Sequence, residues 1–202
     1  MKRDRSLSHV ERWNEMKRGK KQPEGLSWSA FTSEWRAWWQ GKAPVFFFGA
    51  KFGALIILLY VLLALPAADQ TLYHYLQANA WLSNGILNLL GQGTHVSDVT
   101  IASSTTPFAI AIRRGCDAVE PTWLLCAAIL AFPGPWKRKF AGMLAGIVIL
   151  QALNLVRIVT LYLVGSRFPT MFPSMHLEIW PALFIVVAIA LFIGWKGWAY
   201  DE

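Results

Sequence analysis

The sequence has no internal repeat, no low-complexity tract and no linker-like stretch, so nothing in it argues for a second folded domain. Residues 1–42 contain no long apolar run, which excludes a secretory signal peptide there. Only two cysteines occur, Cys116 and Cys126. On one continuing helix they would stand about 15 Å apart, beyond the roughly 7 Å a disulfide tolerates. His176, Glu178, Asp117 and Glu120 show no metal-ligand spacing, so no metal and no cofactor is expected.

What the chain does have is apolar and aromatic bulk. Hydrophobic residues make up 55% of the 202, with 11 tryptophans, and the mean hydropathy is +0.38. That is too apolar for an ordinary soluble domain of this length, so the apolar runs are read as membrane spans. The formal charge of +7 is unevenly spread. Residues 1–43 hold ten Lys and Arg against five Asp and Glu, and Lys137-Arg138-Lys139 form a second cluster. This pattern orients a membrane protein and gives no reason to expect nucleic-acid binding.

Residues 1–43 read as a basic, Trp-rich cytoplasmic region. Trp28, Phe31, Trp35, Trp38 and Trp39 fall at helical spacing, which predicts an amphipathic helix over Leu26–Gln40 on the inner membrane surface. Residues 44–202 read as one transmembrane domain. Val45–Leu65 is a first span, with Lys51 reaching the inner headgroups and Pro66 ending it. Thr71–Gln92 mixes apolar residues with His74, Gln77, Asn79, Asn84 and Asn88, predicting an amphipathic outer helix. From Gly93 to Arg114 the pattern alternates around Ser103-Ser104-Thr105-Thr106-Pro107, predicting a small extracytoplasmic β-hairpin. Val119–Phe132, Phe140–Val164 and Leu177–Trp195 supply three further spans, separated by the basic cluster and by an outer loop over Ser166–Met175. The fold class is therefore an all-α membrane protein with about four transmembrane helices and both termini inside.

This topology places three reactive side chains at one membrane face. Cys116 precedes the second span, His176 opens the fourth, and Arg157 lies inside the third, about 12 Å from its outer end. An arginine within a span costs roughly 2.5 kcal/mol or more at the bilayer centre, so it faces the bundle or a wet cavity. Asn154, three residues earlier, shares its helical face and is placed to hold the guanidinium or a substrate backbone. In this set His176 would take the proton of Cys116, the thiolate would attack a peptide carbonyl, and Arg157 would stabilise the oxyanion or the thiolate. Asp117, Glu120 and Glu178 are candidates to pair with Arg113, Arg114 or Arg157. The same residues also admit a non-catalytic reading, a membrane scaffold with a structural Arg-Asn-His network. A transporter is disfavoured, because there is no inverted repeat and no broken helix pair.

The run Gly115-Cys116 with Val119-Glu120, then Leu130-Ala131-Phe132-Pro133 with Trp136-Lys137-Arg138-Lys139, then Asn154-Leu155-Val156-Arg157-Ile158-Val159 with Tyr162, then His176-Leu177 and Trp180, resembles the exosortase/archaeosortase family, most of all its short exosortase H type. The resemblance covers residues 45–195. It implies a polytopic cysteine protease or transpeptidase of the bacterial inner membrane with its site facing the periplasm. Its partners would be membrane lipids and proteins bearing a C-terminal sorting signal, made of a short motif, a transmembrane helix and a basic cluster. The family's Cys, Arg and His fall on Cys116, Arg157 and His176, with Asn154, Arg114 and Glu120 as supporting residues. One departure stands out: many relatives carry glycine two positions after the cysteine, where this chain has Ala118.

Overall fold

The computed structural model describes Trp13 and residues 28–200. The chain divides into two compact units, Met1–Phe47 and Phe48–Glu202. The first helix, α1, runs without interruption from Trp28 to Leu63 and passes through Pro44. A separate surface helix over Leu26–Gln40 followed by a span is thus replaced by one 36-residue helix. Proline lacks the N–H that would donate to Gln40 O, and the apolar run that follows still needs its remaining backbone groups paired within one helix, so the helix continues. Within the first unit Trp35 stacks on Trp38, Trp39 meets both edge-to-face and also contacts Phe46, and Lys42 lies 4.6 Å from the Trp38 ring centroid.

After a turn at Ala64–Leu65, Pro66 opens α2 (Pro66–Leu89), where a missing N–H is harmless. A three-stranded antiparallel sheet follows, β1 (Thr94–Ser97), β2 (Thr100–Ser103) and β3 (Ala109–Ala111), in the order β1-β2-β3. The expected single hairpin is its β2–β3 half. The extra strand arises because Asp98 adopts a left-handed φ of 65°, turning the chain between Ser97 and Thr100. Asp98 also accepts from Gln77 Nε2 at 2.9 Å and from the Tyr73 hydroxyl, which moors the sheet on α2.

Three helical segments are long and apolar enough to cross a membrane: Trp38–Leu63, Trp136–Arg167 (α4) and Phe172–Tyr200 (α5). The remaining apolar helix, α3 (Val119–Ala131), has 13 residues, about 20 Å against a hydrocarbon core of about 30 Å. The loop before α5 is shorter than the sequence suggests, Phe168 to Met171. Pro173 lies in the first turn of the helix, where proline is tolerated.

The organising element is α4. One face packs with α3 and α5 around Leu125, Ile129, Leu150, Leu161, Trp180 and Phe184. The opposite face packs with α2 and the sheet around Leu76, Leu87, Ile101, Ile158, Val159 and Tyr162. At the basic end, Arg138 Nη1 donates to Ala199 O (2.6 Å), Lys139 Nζ to Leu130 O (2.9 Å) and Trp195 Nε1 to Arg138 O (2.8 Å), joining α3, α4 and α5. A Cβ at Gly142 would lie 2.1 Å from Cδ1 of Trp195, a ring that its hydrogen bond holds in place. Gly142→Ala should therefore destabilise the bundle by about 1–3 kcal/mol. Gly49→Ala, where the added methyl meets nothing, is the control. Thermal unfolding in detergent should show a clearly lower Tm for the first variant and no fall for the second.

Candidate active site

Residues 112–118 connect β3 to α3 in a tight turn, and local bonds set its shape. Cys116 N–H donates to Arg113 O at 2.9 Å, and Gly115 takes φ 86°, a conformation that strains any residue with a Cβ. Asp117 is buried, and its carboxylate accepts from Val119 N–H at 3.1 Å, serving one of the free donors at the start of α3. Ala118 adopts φ 57° and ψ 13°, the left-handed conformation in which glycine is at ease. The turn sits at the junction of the two cores, with Ala118 in the α3–α4–α5 core and Cys116 against the core of α2 and the sheet.

The geometry at Ala118 decides what a substitution does there. Ala118→Gly relieves about 1–2 kcal/mol of left-handed strain. It also loses about 0.8 kcal/mol of methyl burial and up to about 1 kcal/mol of chain entropy. The net change should be close to zero, with the site intact. A β-branched Ala118→Val, buried and left-handed, should cost several kcal/mol. Comparing the unfolding temperatures of the two variants checks this.

Cys116 is half-buried, and its Sγ lies 3.8 Å from Nε2 of His176. Burial pushes the Cys116 thiol above its ordinary pKa. The charge of Arg157 and the bond to Arg113 pull it back only in part, and Asp117 adds to the rise. The resting group is accordingly a protonated thiol. His176 projects from a π-helical turn, Met175–Ile179, in the first part of α5. Its ring stacks on Phe172 with centroids 5.6 Å apart and 12° between planes, and Nδ1 is buried without a partner. The imidazole is thus oriented by an aromatic face instead of a carboxylate.

Arg157 is 5% exposed. Its Nη1 donates to Gly115 O at 3.2 Å, and its guanidinium carbon lies 5.6 Å from the centre of the Phe184 ring. Nε is buried with no partner. Among the described residues no carboxylate forms an ion pair with it; the one ion pair seen there joins Arg114 to Asp69. A buried cation with an unused donor beside a thiol is suited to accept negative charge that arrives or develops during a reaction.

The family model for transmembrane exosortases (Exosortase_EpsH) matches residues 43–195. The chain belongs to the transmembrane exosortase family. No curated protein and no solved structure matches it. The matched region of this exosortase contains the whole Cys116, Arg157 and His176 cluster.

The other residues singled out from the sequence are placed differently. Asn154 is fully buried, but its amide donates to Asn79 Oδ1 at 3.2 Å, not toward the guanidinium, and its own Oδ1 has no partner. Arg114 is exposed and pairs with Asp69, so it does not reach Asp117, Glu120 or Glu178. Arg114 and the exposed Glu120 line a cavity of about 310 Å³ that reaches Gly115. Glu178 is exposed. Among the described residues no group of three or more His, Cys, Asp or Glu side chains is gathered. Sequence reasoning missed Tyr75, Asn79 and Gln151 behind the turn, and Phe172 and Phe184 as aromatic supports. The signal for Gln151 was available: it is polar, inside an apolar span, and three residues before Asn154.

Proposed function

We propose that this exosortase is a membrane-embedded cysteine peptidase that cleaves, and transfers or hydrolyses, proteins carrying a C-terminal sorting signal. The observation that carries this reading is the 3.8 Å approach of the Cys116 thiol to His176 Nε2 beside a buried, partly unpartnered arginine. The thiol proton passes to Nε2 as sulfur bonds to the scissile carbonyl carbon. The carbonyl electron pair becomes an oxyanion facing the positive Arg157 field. Collapse of this intermediate breaks the C–N bond, and the departing amine takes the proton from His176. The resulting thioester on Cys116 is then released by water or by another nucleophile.

The raised thiol pKa supports proton transfer during attack, not a preformed thiolate–imidazolium pair. In this reading the basic N-terminal region, Lys137-Arg138-Lys139 and Lys196 lie on the cytoplasmic side of a bacterial inner membrane, by the positive-inside rule. The reactive cluster then faces the periplasm. The short α3 makes a fourth crossing with its Cys116 end below the outer headgroups, where a membrane-anchored substrate reaches it laterally. The test is chemical trapping: the full chain is co-expressed with a C-terminally anchored candidate substrate, quenched in acid and analysed by mass spectrometry. A hydroxylamine-sensitive substrate adduct on Cys116 is the expected result. Processing that leaves no adduct on Cys116 at any time of quenching would overturn the thioester route.

A further inference from the structure

The two peptide carbonyls that flank the Cys116 residue are held by side chains from helices far apart in sequence. Gly115 O accepts from Arg157 Nη1 on α4 at 3.2 Å. Asp117 O accepts from the Tyr75 hydroxyl on α2 at 2.8 Å. We propose that Tyr75 is a positioning residue for the nucleophile, its hydroxyl fixing the Asp117 carbonyl and so the direction in which Cys116 presents sulfur to His176. The proposal rests on the reading of Cys116 as the nucleophile.

The hydrogen bonds behind Tyr75 fix one another's polarity. Asn79 Nδ2 donates to the backbone carbonyl of Tyr75 at 2.9 Å, which determines which end of that amide is oxygen. Asn79 Oδ1 therefore faces α4, where it accepts from Gln151 Nε2 at 2.6 Å and from Asn154 Nδ2 at 3.2 Å. With its nitrogen so committed, Gln151 turns Oε1 to the Tyr75 hydroxyl. The hydroxyl has one proton and faces two acceptors, Gln151 Oε1 and Asp117 O. Burial raises the Tyr75 phenol above its ordinary pKa, so the proton is present throughout the neutral range. A buried acceptor left without a donor costs about 1–3 kcal/mol, so losing this hydroxyl releases the Asp117 carbonyl with nothing to replace it.

Asp117 O is one peptide from Cys116, and the strained Ala118 follows it directly. A turn freed at this point has two glycine-like conformations, at Gly115 and Ala118, through which to relax. Displacing a reacting group by about 1 Å is enough to lower a rate roughly a hundredfold. Tyr75 is on this account distinct from Gln151, Asn79 and Asn154, which hold α2 to α4 but do not touch the turn.

The experiment uses the full chain in detergent micelles, as wild type, Tyr75→Phe and Gln151→Met. Three quantities are read: substrate processing as kcat and KM, Tm, and the pH dependence of Cys116 alkylation by iodoacetamide, resolved from Cys126 by mass spectrometry. Tyr75→Phe should lower kcat about tenfold to a hundredfold with KM changed by no more than about twofold. It should also change the Cys116 alkylation rate. Gln151→Met removes the competing acceptor, leaves the proton to Asp117, and should lower Tm while keeping kcat within about threefold. Wild-type kcat and alkylation in Tyr75→Phe would overturn the proposal. Equal losses in both variants that follow Tm would do the same, since they mark a structural role only. The alkylation arm needs no turnover, so it judges Tyr75 even if no substrate is processed, an outcome that would count against the peptidase reading alone.

Discussion

Cys116→Ala is expected to abolish substrate processing, by at least about 10⁴-fold, while leaving the protein folded and at normal abundance. Removing the nucleophile of a covalent mechanism costs nearly the whole rate advantage, since the remaining groups have no bond to make. Folding should be spared because the thiol is half-buried and its one polar contact is with His176, so its loss strands no structural bond. Cys116→Ser should be equally inactive, the hydroxyl being a far weaker acid than a thiol already raised by burial. Immunoblots of an anchored substrate beside matched enzyme levels measure this. Full processing by Cys116→Ala would sink the mechanism and return the cluster to the scaffold reading.

The second large effect is expected at Arg157. Arg157→Ala should reduce processing about 10²–10³-fold, the range seen when a single oxyanion donor is removed. The same variant should move Cys116 alkylation to higher pH. The sign follows from the forces on the thiol: burial raises its pKa, Arg157 opposes that, and removal of the guanidinium leaves burial less opposed. Arg157→Lys separates the two contributions. Lysine keeps the charge, so the alkylation profile should return most of the way. It lacks the planar fork that reaches Gly115 O while presenting further donors, so processing should recover only in part. A pH profile unchanged in Arg157→Ala would remove the electrostatic role, and unchanged processing would remove the catalytic one.

Part of this site was legible in the chain. Arg157 stood out because a cation in an apolar run is costly, and it is buried, against the Phe184 ring and the Gly115 carbonyl, as that cost requires. Cys116 and His176 were legible as reactive groups beside the ends of apolar runs. Their 3.8 Å approach was not, because it depends on the π-helical turn that aims His176 and on Phe172 stacked against its ring. Asn154 could be placed on the face of Arg157 by spacing alone. That its amide serves Asn79 follows from the packing of α2 on α4, about which spacing within one helix says nothing.

The sequence by itself determined the membrane setting, the positions of the long apolar helices, the helix after Pro66 and the alternating segment that forms the sheet. These properties are written in contiguous windows, as hydropathy, period and proline placement. Tertiary structure alone decided that Asp98 turns the chain into a third strand. It alone decided that Ala118 holds a left-handed turn and that Tyr75 and Arg157 grip the carbonyls on either side of Cys116. The physical reason is that each of these depends on which helix face meets which turn, and that choice is made by packing two cores against the opposite sides of α4.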